Sequence, residues 1–88
     1  MCKDKVQLIV EAVLPGLDDD LTAYLESCRR NGVPVSRFAA IQELEHLAFS
    51  PEKITERTQQ ARKYALPPGI LERVWRDCFR RLRERAGH

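Results

Sequence analysis

The sequence predicts an all-α fold, a single compact domain of four to five helices in bundle-like or orthogonal packing. Three observations carry this expectation. Apolar residues recur at three- and four-residue steps through almost every segment, and no segment sustains the alternation of a strand. The periodic runs are also punctuated by Pro, Gly and Asn at "PG", "NGVP" and "LPPG". At 88 residues the chain can bury only a modest share of its surface, so a homodimer is a natural supplement to its core.

The first run, "DKVQLIVEAVLPG", places Val6, Ile9, Val10 and Val13 on one face, with Asp4 as its cap. Pro15-Gly16 is expected to stop it. The second, "LDDDLTAYLESCRRNG", confines Leu17, Leu21, Tyr24, Leu25 and Cys28 to one stripe about 100° wide. Asp18 to Asp20 suit the positive end of a helix dipole, which favours a helix start over a metal site, and Asn31-Gly32 suits a left-handed stop. Ser36 caps a third run with Phe38, Ile41, Leu44, Leu47 and Ala48 on its apolar face. Ser50-Pro51-Glu52 restarts the chain as cap, first-turn proline and first-turn acid. The fourth helix is weakly apolar, offering mainly Ile54, Ala61 and Tyr64. After "ALPPG" the last helix spans about Pro68 to Arg85. At about 100° per residue, Ile70, Leu71, Val74, Trp75, Cys78, Phe79 and Leu82 share one half of it.

Composition excludes several function classes. Hydrophobic residues at 43% and charged residues at 32% rule out wholesale disorder. No apolar run approaches the roughly 20 residues that span a bilayer, Glu11 interrupts the amino-terminal apolar patch, and no small-residue cleavage signal follows. A cytoplasmic protein without a membrane partner is expected. Cys2, Cys28 and Cys78 are widely spaced with no CxxC pair, and His46 and His88 stand alone, so neither a disulfide framework nor a metal site is predicted. The glycines are isolated stops and Ser36 and Ser50 are caps, which leaves no phosphate loop and no flanked nucleophile. No catalytic residue, metal or cofactor is assigned.

The informative feature is charge distribution. Residues 1 to 66 carry nine Lys/Arg against ten Asp/Glu, whereas residues 67 to 88 carry six Arg against three acids. Arg73, Arg76, Arg80 and Arg83 fall together on the side of the last helix opposite its apolar half. Such a stripe is a candidate grip for nucleic-acid phosphates or for an acidic protein surface. It can equally be a solvated face, diluted by the four-residue pairs Glu72 with Arg76, Arg73 with Asp77 and Arg80 with Glu84. "ARKYALPPGILERVW" also carries a loose helix-turn-helix pattern that would expose Glu72, Arg73 and Arg76.

In "LDDDLTAYLESCRRNGVPVSRFAA", "SPEKI" and "ARKYALPPGILERVWRDCF" the chain resembles the small all-helical chorismate mutases and the related isochorismate-pyruvate lyases, from about Val10 to Phe79. The resemblance implies intertwined helical dimers whose cations grip the two carboxylates of a chorismate-like diacid. In that register the family's cations fall on Glu11, Cys28 and Ala39, its late glutamine has no counterpart, and only Lys53 stands where the family has an arginine. A desolvated dianion needs pre-placed cationic donors. The functional expectation is therefore a small binding or regulatory protein, with nucleic acid ahead of an acidic protein surface as partner. The alternatives are a mutase-like or lyase-like enzyme or its inactive relative, and an adaptor that binds protein through a patch around Trp75 or Tyr24.

Overall fold

The computed structural model describes residues 4–87. They form four helices, α1 (Lys5–Arg30), α2 (Arg37–Ala48), α3 (Pro51–Lys63) and α4 (Ile70–Ala86), with no strand among the described residues. Cys2 and His88 lie outside the described residues.

The expected stop at Pro15-Gly16 is not one: α1 runs unbroken through it. An interior proline removes a backbone hydrogen bond and destabilises a helix by about 3 kcal/mol. Two features offset this. Pro15 and Gly16 are exposed, so water can replace the missing bond. The apolar stripes before and after the proline are also in phase, since Val10, Leu14, Leu21 and Cys28 all fall within a narrow sector at 100° per residue. Val10, Leu14 and Leu21 are buried along a single line, and each such burial contributes roughly 1.5–3 kcal/mol. As a consequence Asp18 to Asp20 sit inside α1 rather than at a helix start, and Asp18 pairs with Arg37 of α2 at 3.3 Å.

The caps follow the sequence. The side chains of Asp4, Ser36 and Ser50 accept hydrogen bonds from the backbone N–H groups of Gln7, Ala39 and Lys53, which satisfies one orphan donor at each helix start. Helix α1 ends in a Schellman motif: the Val33 N–H donates to the Cys28 carbonyl at 2.9 Å while Gly32 takes a φ of 72°. Helix α3 ends in the same motif with alanine in the glycine position. There the Leu66 N–H donates to the Ala61 carbonyl at 2.8 Å and Ala65 takes a φ of 54°. Helix α4 starts at Ile70, two residues later than expected, after Gly69 at a φ of 78°.

Helix α4 is the hub, touching α1, α2 and α3. Its Val74, Cys78, Phe79 and Leu82 form one core with Val10, Leu14 and Leu21 of α1 and Ala40 and Ile41 of α2. The Cys78 thiol donates to the Val10 carbonyl at 4.0 Å, and burial pushes its pKa up to about 11. Cys28 is half-buried. Two apolar faces differ from expectation. Phe38 of α2 is exposed because Ala40 and Ile41 take the inward positions, whereas Leu47 lies on the Ala40 side of the helix and is exposed in its last turn. On α3, Ile54 is exposed, as is Tyr64 just past its end, and Ala61 and Arg57 face inward. The molecule is flattened, with extents of 44 × 33 × 15 Å.

Candidate polyanion groove and the arginine staple

Arg73, Arg76, Arg80 and Arg83 converge as the sequence predicts. They line one surface groove of about 640 Å³, joined by Arg81 and by Asp4, Val6, Gln7, Glu45 and Asp77. Helix α4 supplies the stripe, the start of α1 forms one wall, and α2 contributes Glu45. Five arginines against three acids leave the groove cationic.

The acids are unevenly shared. Asp77 accepts from Arg80 and lies 3.4 Å from Arg81, while Arg80 also reaches Glu84 at 3.4 Å. The Asp77 hydrogen bond, reinforced by its charge, raises the Arg80 pKa. Arg83 donates to Glu45 across the α2–α4 contact. Asp4 is occupied as the cap of α1. Arg73 and Arg76 are exposed and form no ion pair among the described residues. Arg76 lies with its guanidinium 5.9 Å from the centre of the Phe49 ring.

Of the three ion pairs expected along α4, Arg80 with Glu84 forms and the other two do not. Asp77 turns to Arg80 and Arg81 instead of Arg73. Glu72 turns away from Arg76 and binds Arg57 of α3 through two hydrogen bonds of 2.8 and 3.0 Å. This also corrects the helix-turn-helix expectation of an exposed Glu72, whose carboxylate is committed to α3.

Arg57 is the residue that sequence reasoning missed. It is 5% exposed, donates to the Ala48 carbonyl at the end of α2, and holds its guanidinium 5.2 Å from the Phe49 ring and 5.3 Å from the Trp75 ring. One side chain thus satisfies a carboxylate and a helix-end carbonyl while packing on two aromatics. It staples α2, α3 and α4 together. No local signal marks it, since "TERTQQ" is polar throughout and the partners Phe49, Glu72 and Trp75 are distant in sequence.

Beside the staple lies an apolar cleft of about 340 Å³, lined by Leu17, Leu44, Leu47, Trp75 and Phe79, with Asp20, Lys53 and Glu56 among its charged margin. Lys53, the cation matched by the family resemblance, is there, whereas Glu11, Cys28 and Ala39 do not line it. Among the described residues no cluster of His, Cys, Asp and Glu could hold a metal ion, and no helix is long and apolar enough to cross a membrane. No family model matches the chain, and neither a curated protein nor a solved structure is significantly similar to it.

Proposed function

We propose that this protein binds nucleic acid through the groove on α4, in the cytoplasm and as a homodimer. One observation carries the reading: Arg73 and Arg76 present exposed guanidiniums to a cationic groove without an acid to neutralise them. A phosphate entering there meets donors that need not first release a partner. Arg80 and Arg83 line the same groove but are already engaged by Asp77 and Glu45, so they would have to exchange one anion for another.

Binding by phosphate neutralisation sets a measurable scale. Each neutralised phosphate contributes about −0.9 to the slope of log affinity against log salt, so two free arginines give a slope of about −2 per chain. Fluorescence anisotropy with random-sequence duplex DNA and RNA at several salt concentrations measures it. The reading requires salt-dependent binding that Arg73→Glu with Arg76→Glu abolishes while helical circular dichroism is preserved. Absence of binding at low salt would transfer the groove to an acidic protein surface. A chorismate turnover assay tests the family resemblance separately.

A further inference from the structure

We infer that the apolar cleft between Leu17, Leu44, Leu47 and Trp75 is the face through which two copies of this chain pair. The surface area points to missing burial. A folded monomer of 10.2 kDa exposes about 5,300 Å², and this chain exposes 6330 Å². Its radius of gyration is 14.3 Å, against about 12 Å for a compact chain of this length. The surplus, about 1,000 Å², is comparable to the roughly 800 Å² that each partner buries in a standard interface.

The location follows from chemistry. All four helices contribute to the cleft, and Leu47 at its lip is 52% exposed, an unusual fate for a leucine beside a half-buried tryptophan. The charged margin carries both signs, with Lys53 and Glu56 paired within the chain at 3.4 Å and Asp20 also lining the cleft. A two-fold pairing places the same patch on both sides and so needs such self-complementarity. In that arrangement the exposed Lys53 of one copy, already paired with its own Glu56, can also reach an acid of the other.

The arginine groove fails the same requirement, because two cationic stripes would oppose each other. On α4, Trp75 is about 120° from the centre of the stripe. Pairing through the cleft therefore leaves both grooves open. The inference supplies the dimer interface for the function proposed above, yet it is read without nucleic acid and stands or falls separately from the groove.

The test is the mass of the 88-residue chain by sedimentation equilibrium from micromolar to sub-millimolar concentration. Wild type is expected at twice 10.2 kDa. Leu47→Glu weakens the pairing by at least about 30-fold, as a charge forced into the centre of an interface does. Leu47→Ser gives a second reading should the glutamate disturb folding, which circular dichroism checks. Leu8→Glu is the control, since Leu8 is 54% exposed and outside the cleft, and it leaves the dimer intact. A wild-type monomer throughout the range overturns the inference and leaves the cleft to another occupant. A dimer that survives both Leu47 variants, or that Leu8→Glu also dissolves, overturns it too.

Discussion

Arg57 and Glu72 meet fork to fork, Nε to Oε1 at 2.8 Å and Nη2 to Oε2 at 3.0 Å, with the guanidinium packed on the rings of Phe49 and Trp75. The pair joins α3 to α4, and the bond from Arg57 to the Ala48 carbonyl adds α2. Burying two charges is costly, so such a pair specifies an arrangement more than it adds stability.

Breaking the pair from one side is destabilising. Arg57→Ala strands the Glu72 carboxylate and the Ala48 carbonyl and lowers unfolding free energy by about 3 kcal/mol, the low end for a buried pair because Glu72 keeps some contact with water. Arg57→Lys also loses stability, since an ammonium cannot reproduce the fork or the two ring contacts. Removing both charges in Arg57→Met with Glu72→Met recovers most of the loss. Urea denaturation of the three variants measures this, and additive losses in the double variant would contradict it.

The groove predictions separate free arginines from engaged ones. Arg73→Gln and Arg76→Gln each reduce the magnitude of the salt slope by about one. Arg80→Gln changes it less, because Asp77 and Glu84 already hold that guanidinium. Glu45→Gln releases Arg83 and steepens the slope by about one. An unchanged slope in Glu45→Gln would mean that Arg83 does not reach a phosphate.

Ala65 occupies the left-handed position at the end of α3 with a φ of 54°. A residue with a Cβ is destabilised there by about 1–2 kcal/mol. Ala65→Gly relieves that strain at the cost of a more flexible unfolded chain, for a net gain of about 0.5–1 kcal/mol. Thermal unfolding reads this as a rise in Tm of a few degrees.

Cys78 gives a pH signature. Its folded pKa is raised to about 11 from about 9, so between those values the unfolded chain releases a proton that the folded chain keeps. The contribution of Cys78 to stability is therefore complete below about pH 9 and lost as pH rises toward 11. Comparing unfolding curves of wild type and Cys78→Ala across that window isolates it, with the steeper decline in the wild type. Equal declines would show that the thiol does not distinguish the two states.

What was legible in the sequence is what depends on neighbours in the chain. The caps Asp4, Ser36 and Ser50, the stop at Asn31-Gly32 and the two-faced character of α4 are all local, and all are found. The four arginines could be placed on one face by period alone. Their partners could not, because Glu45 comes from α2 and Asp77 had three arginines within reach. Pro15 is a stop by its local preference alone, and it is the match of phase between the apolar stripes on either side of the proline that keeps α1 whole. Arg57 was invisible for the opposite reason: a buried arginine is defined entirely by residues from other helices.

The composition of the inward face of α3 has a dynamic consequence. Ala61 is its only fully buried apolar residue, and the central apolar cluster is drawn from the other three helices. The attachment of α3 rests on Arg57 rather than on a broad hydrophobic seam. Regions with few buried apolar contacts open at lower free energy than the global unfolding reaction. Helix α3 is thus the first cooperative unit to swing away from an otherwise folded protein, and its amide hydrogens exchange with solvent before those at the centre of α4.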